Sequence, residues 1–260
     1  MTSVSRLLLV SLQLLILQKS HAFISIPSSR AKSYSDLNAK SMSPDEIETW
    51  MSKVPVYAIT ENGSGGVVLL KGDAAGKKEI CNFFTHVEDA NKMMMAIQNA
   101  NPKQEKDSMI VRPFYLGVIW FGLLFSSDNK DDGVEYRLVP SQKDLRDARE
   151  LSSTHKFASP FGEIPIFVNW QMRIMDNGTE VLPLYLCLDD IQTACEGFDG
   201  SSEYEIKVED LKAVVAKMEK DPEIDFRSSL LIPPIIEESQ AKKETKAKTQ
   251  SILDAETEWS

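Results

Sequence analysis

From Ser43 onward, apolar and polar positions alternate or recur in short periods, and these periods read as strands and helices in turn. Ser43-Pro-Asp-Glu is a helix start, with Ser as N-cap, Pro at the first helical position and acids in the first turn. Ile47, Trp50 and Met51 form the apolar stripe of that helix. A strand at 54–60 follows, closed by the turn cluster Asn62-Gly-Ser-Gly-Gly66; further strands are predicted at 67–70 and 80–85. Glu88 and Asp89 open a helix whose Ala90, Met93, Met94 and Ile97 share one face, leaving Met95 off the stripe. Another strand starts at Ser108. A strand at 134–140 and a helix from Ser141, with Leu145, Ala148 and Leu151 on one side, complete this part.

The order then repeats. Ile164-Pro-Ile-Phe167 echoes Val54-Pro-Val-Tyr57 at an offset of 110, and the strand 182–188 with Asp189 and Asp190 echoes 80–85 with Glu88 and Asp89 at 101. Between them, a short strand at 171–175 and the turn Asp176-Asn-Gly178 match 67–76. Residues 204–208 and the helix running to Lys220 match 109 onward at an offset of 95. A duplicated β-β-β-α-β-α unit predicts an α/β (α+β) fold: a mixed β-sheet with flanking helices, in two pseudo-symmetric halves from an internal duplication. After Arg227, two consecutive prolines limit 228–236 to a sheet edge.

One stretch departs from the pattern. Residues 109–125 carry Arg112 as their only charge, and from Phe114 to Phe125 there is none. Twelve uncharged residues fall short of the ~20 that a membrane-spanning helix needs. Aligned at the offset of 95, Phe114, Tyr115, Gly117, Gly122, Leu124 and Phe125 stand where the second copy has Glu209, Asp210, Lys212, Lys217, Glu219 and Lys220. Either this segment is covered on both sides, by the C-terminal tail or a dimer partner, or it offers an apolar patch. Phe114, Tyr115, Trp120, Leu124, Phe125 and Met95 are therefore the candidate client or partner surface.

Charge narrows the partners. The formal net charge of the 260 residues is −10, but residues 1–45 hold five basic and two acidic side chains, leaving 24 positive against 37 negative beyond them. A body at −13 is repelled by phosphate backbones and disfavours nucleic acid. Cys81, Cys187 and Cys195 are odd in number and lack Cys-x-x-Cys spacing, so neither a disulfide framework nor a zinc site is indicated; Cys81 and Cys187 lie in apolar runs and read as small core residues. The basic N-terminus is an address. Arg6 precedes eleven largely apolar residues at 7–17, and Ser20-His21-Ala22 offers a signal-peptidase cut after Ala22. The next segment, 23–42, begins Ser-rich and basic like a transit peptide. A signal peptide (1–22) followed by a transit peptide (23–42), with Phe23 first after the cut, resembles the bipartite presequence of algae with complex plastids; simple secretion is the alternative. The predicted body is 43–236, with halves at about 43–125 and 134–236, and 237–260 is a polar tail.

Catalytic chemistry is hard to find. His86, beside Glu88 and Asp89, can be drawn as an acid–base site or half a metal site, but acids at a helix start complement its dipole and His86 then reads as a strand-end residue. Asp189 and Asp190 hold the same place in the second copy. Asp131-Asp132-Gly133 lacks the spacing of a calcium loop, and the glycines at 63–66 precede a strand, not a phosphate-binding helix. Nothing here indicates an enzyme or a cofactor.

In order and spacing, Val54-Pro-Val-Tyr57, Glu88-Asp-Ala90, Tyr136-Arg-Leu-Val-Pro140, Ala148-Arg-Glu-Leu151, Ile164-Pro-Ile-Phe167 and Pro183-Leu-Tyr-Leu-Cys-Leu-Asp-Asp190 resemble the Tic twenty-two family, over roughly 50–220. That family is a soluble component associated with the translocon at the inner envelope of chloroplasts. The resemblance implies a two-lobed α/β fold with apolar clefts, no established catalytic residues, and placement between plastid envelope membranes or in the periplastid space. It also implies a role in protein import as an ATP-independent, chaperone-like binder of unfolded preproteins, alongside translocon subunits. The other reading is an adaptor on a folded translocon subunit; peripheral membrane association and a homodimer stay open. The insertion 126–133, the tail after Glu237 and the apolar 114–125 depart from the family pattern.

Overall fold

A computed structural model describes residues 41–72, 78–102, 107–125, 133–152, 157–159, 162–196, 205–220 and 224–235. The signal peptide, the transit segment up to residue 40 and the tail lie outside these residues, as do His155 and most of the insertion. Met42, expected to end the transit segment, is instead buried in the core, with its N–H donating to Met218 O at 2.8 Å.

Helix α1 (Pro44–Met51) starts where Ser43 caps it: Ser43 Oγ accepts from the Glu46 N–H, and the Glu46 carboxylate accepts from the Ser43 N–H. The first half continues with β1 (Pro55–Glu61), β2 (Leu70–Lys71), β3 (Glu79–Phe84), α2 (Val87–Ala100), β4 (Met109–Tyr115), α3 (Leu116–Ile119) and, contrary to the boundary expected at 134, β5 (Val134–Val139), because it pairs with β3. Helix α4 (Gln142–Leu151), capped by Ser141, leads into β6 (Pro165–Val168), β7 (Ile174–Asp176), β8 (Thr179–Tyr185), α5 (Leu188–Glu196), β9 (Lys207–Asp210), α6 (Leu211–Glu219) and β10 (Ser229–Ile232).

These strands form two five-stranded mixed sheets where the periodicity suggested one. In the first, β1 lies between β3 and β4 and is antiparallel to both, β5 joins β3 in parallel, and β2 pairs with the start of β3. The second sheet has the same order and the same senses with β6 to β10 in place of β1 to β5. Register follows the sequence offsets. Pro55 opposes Tyr115 as Pro165 opposes Asp210, and Tyr57 opposes Phe84 as Phe167 opposes Tyr185. Even the strand-to-helix corners agree: the Leu116 N–H donates to Val54 O at 2.9 Å, and the Leu211 N–H to Ile164 O at 2.8 Å.

Several boundaries move for tertiary reasons. Phe114, Tyr115, Glu209 and Asp210 have helical spacing but end β4 and β9, because hydrogen bonds to the central strands β1 and β6 outweigh the local period. The strand read at 67–70 reduces to a bridge at Val67 and the two residues of β2, after a turn in which Gly63 and Gly65 take positive φ. Pro113 is tolerated within β4 because β4 is an edge. Leu151, grouped with Leu145 and Ala148 by spacing, is exposed at the end of α4.

One continuous core joins the sheets. Val56, Ala58 and Phe83 of the first, Ile166, Val168 and Leu184 of the second, and the buried faces of α1, α3 and α6 all belong to it. Two sheets with apolar inner faces bury more by stacking around shared helices than by joining edges. Helix α1 is fastened to the second half: Trp50 Nε1 donates to Ser229 O at 3.1 Å, and Arg227 donates to both carboxylate oxygens of Glu46. A second core lies under α4 and α5, where Leu145, Phe157, Phe167, Tyr185 and Ile191 meet. On the first sheet, α2 buries only Ala90, and Met93, Met94 and Ile97 are half-buried.

Candidate functional site

The apolar stretch 109–125 resolves into three pieces with different fates. Its first seven residues are β4. Leu116 then begins α3, and at Trp120–Leu124 the helix widens to a π turn in which the Phe125 N–H donates to Trp120 O at 3.0 Å. Leu116, Ile119 and Trp120 point into the central core, as their counterparts Leu211, Val214 and Val215 do in α6.

The remaining positions are partly covered, and α1 supplies the cover that the sequence assigned to the tail or a second copy. A Cβ on Gly117 would lie 2.2 Å from Glu48 O and 2.5 Å from Ser52 Oγ, so only glycine lets α1 cross here. The corresponding Lys212 faces solvent. Tyr115 (45 % exposed), Val118 and Phe125 (49 %) remain outside that cover.

Of the six candidate surface residues, the structure brings three together. Trp120, Leu124 and Phe125 form one wall of a groove of about 340 Å³, with Tyr136 and Leu138 of β5 and Ile164 ahead of β6 opposite. Trp120 is itself buried, and supports Phe125 with ring centroids 4.5 Å apart. Phe114 is half-buried and packs edge-on against Phe83 at 5.7 Å; it is a core residue and not part of the groove. Met95 (59 % exposed) is on α2, which packs on the outer face of the first sheet, away from the groove. Tyr115 is exposed at the end of β4 and does not line the groove. Sequence reasoning missed Tyr136, Leu138 and Ile164, whose alternation on strands is that of any core residue.

The rim of the groove is charged. Arg137 Nε donates to Glu135 Oε1 at 2.6 Å and holds that carboxyl below the usual range. Lys212 Nζ sits 5.1 Å from the centre of the Phe125 ring, a cation–π contact between the halves. Apolar walls with a mixed-charge rim, at the small end of ligand-pocket volumes, suit one or two apolar side chains of a bound chain.

His86 does not face Glu88. Its Nδ1 is 3.0 Å from Thr85 Oγ1, and its Nε2 is 3.4 Å from Asp144 of α4. Cys187, expected in the core, is half-buried just ahead of α5, whereas Cys81 is buried as expected. No helix among the described residues is long and apolar enough to cross a membrane.

The sequence model of the Tic22-like family matches residues 3–244. Protein TIC 22-like, chloroplastic, of Arabidopsis thaliana is 24% identical over 156 residues, which is 60% of this chain and 47% of that protein, so the match spans about half the length of the curated relative. The solved structure of Tic22 from Plasmodium falciparum is 19% identical, with a TM-score of 0.61, covering 79% of this chain and 98% of that one. Anabaena Tic22, described as a protein-transport protein, is 20% identical with a TM-score of 0.58, covering 78% and 97%. At these identities the two structures establish a shared fold.

Proposed function

The chain belongs to the Tic22-like family, and from that membership we propose that it acts in plastid protein import as an ATP-independent, chaperone-like binder of preproteins. The observation that carries this reading is the contrast at equivalent positions: Leu124 and Phe125 place apolar surface in a groove where the second half has Glu219 and Lys220. A groove that takes apolar side chains without reading their identity fits clients that are unfolded and varied. The presequence and the chloroplastic relative support a plastid address, with the compartment between envelope membranes or the periplastid space of a complex plastid as its finer form. The matching topologies of the two sheets support an internal duplication as the origin of the halves.

The test is suppression of aggregation of a chemically unfolded client, with and without ATP, by the protein lacking residues 1–40. Stoichiometric suppression that is indifferent to ATP is expected. No suppression, together with unchanged plastid import after depletion, would overturn the reading. The charged rim at Glu135, Arg137, Asp210 and Lys212 favours one alternative, an adaptor on a folded translocon subunit. Cross-linking from Phe125 separates the two, since many precursors support client binding and a single resident subunit supports the adaptor.

A further inference from the structure

The ends of four strands meet at one place. His86 follows β3, Asp144 lies in the first turn of α4 after β5, Cys187 follows β8, and Ile235 lies just beyond β10. Since β3 with β5 and β8 with β10 are the two parallel pairs, this is the carboxyl end of both, the side on which open sheets gather their sites. His86 and Cys187 hold equivalent positions in the two topologies, each directly ahead of a helix. One ligand-capable atom from each of His86, Asp144 and Cys187 lies within 4.8 Å of the others.

We propose that His86 Nε2, a carboxylate oxygen of Asp144 and the Cys187 sulfur bind one divalent ion of the zinc class, which clasps the two halves of the molecule. Tetrahedral zinc with nitrogen and oxygen ligands at ~2.0–2.1 Å sets them about 3.3 Å apart. The His86 Nε2 to Asp144 Oδ2 separation is 3.4 Å, a good ligand spacing and a long hydrogen bond. A sulfur ligand belongs about 3.6 Å from the others at a Zn–S length of ~2.3 Å, so Cys187 closes by no more than about an ångström. The mixed N, S and O donor set selects zinc over magnesium or calcium.

The surroundings agree. Asp144 is 1% exposed; its Oδ2 accepts from Ser141 Oγ at 2.6 Å, and its Oδ1 has no hydrogen-bond partner among the described residues. An ion held by both oxygens of this carboxylate would give the buried Oδ1 the partner it lacks. With its proton on Nδ1, His86 donates to Thr85 Oγ1 and turns the Nε2 lone pair toward Asp144, the outer contact that fixes ligating histidines. The Cys187 sulfur accepts from the backbone N–H groups of Asp189 and Asp190. Asp190 takes a hydrogen bond from the Cys187 thiol and accepts from the Ile235 N–H at 3.0 Å. The three ligands are far apart in sequence, which is why cysteine spacing did not suggest a zinc site.

The test uses the reduced full chain, titrated with Zn²⁺ by calorimetry and with Co²⁺ by absorption. One ion per chain is expected, with micromolar or tighter affinity, release of the thiol proton, a higher thermal midpoint and a tetrahedral cobalt spectrum with a thiolate band. Cys187→Ser and His86→Ala should each lower affinity by about tenfold or more and abolish or alter that spectrum. Cys81→Ser and Cys195→Ser should leave it unchanged. Asp144→Asn is a weaker test, because it also disturbs the Ser141 contact. Absence of stoichiometric binding, or a cobalt spectrum indifferent to both Cys187→Ser and His86→Ala, would overturn the proposal.

Discussion

At equivalent places the second half shields its outer sheet face with α4 and α5 over a closed core, while the first half covers its own with α2, which buries a single alanine. The final helices differ in the opposite sense: α6 shows lysines and glutamates to solvent, whereas α3 and the π turn after it show Tyr115, Val118 and Phe125 and take α1 across Gly117. One topology thus serves two purposes. The second half is a closed framework, and the first keeps apolar surface accessible at a cost in packing. Segments that bind other molecules come from the less tightly packed end of a structure, which agrees with the client surface proposed on the first half.

This contrast can be broken at its strongest point first. Ile191, fully buried under α5, corresponds to Ala90 in α2. Ile191→Ala should cost about 2–5 kcal/mol in urea unfolding, and Met94→Ala on the half-buried stripe of α2 should cost less than about 1 kcal/mol. Equal costs would mean that the two outer faces are equally packed. The α1 crossing is next. Gly117→Ala sets a methyl against the Glu48 carbonyl and should cost about 1–3 kcal/mol, whereas Lys212→Ala at the corresponding place should stay within about 0.5 kcal/mol.

Leu124→Glu with Phe125→Lys gives the first half the residues of the second. Stability should fall by about 1–3 kcal/mol, from the packing on Trp120 and the Lys212 contact, and suppression of client aggregation should be lost. Suppression that survives the double variant would move the binding surface away from this groove. The smallest effect concerns the tie between α1 and the second half. Arg227 holds the Glu46 carboxyl at about 2, below its ordinary 4.5. Because the folded value is depressed, the contribution is fully present above pH 4.5 and is lost as pH falls toward 2. Thermal midpoints of wild type and Arg227→Gln should therefore converge over that window; a constant gap would leave the ion pair without a role.

Much of the fold was legible because its signals are local. Ser43 and Ser141 each cap the helix that follows them, and the pairs Pro55–Tyr115 and Pro165–Asp210 reproduce offsets visible in the linear repeat. The groove was only half legible. Absence of charge marked Trp120, Leu124 and Phe125, but Phe114 gave the same signal and proved to be core, because periodicity cannot say which side of an apolar segment another element covers. Tyr136, Leu138 and Ile164 gave no signal, since strand residues facing a groove and facing a core alternate alike.

The sequence by itself determined the element order, the two-fold repeat and the acidic body that disfavours phosphate-bearing partners, since each depends on propensity, spacing or summed charge. Only the tertiary structure decided that the repeat makes two sheets, that α1 crosses Gly117, and that His86, Asp144 and Cys187 face one another. Those outcomes depend on contacts between residues far apart in the chain, where burial and close packing act on pairs that no local pattern records.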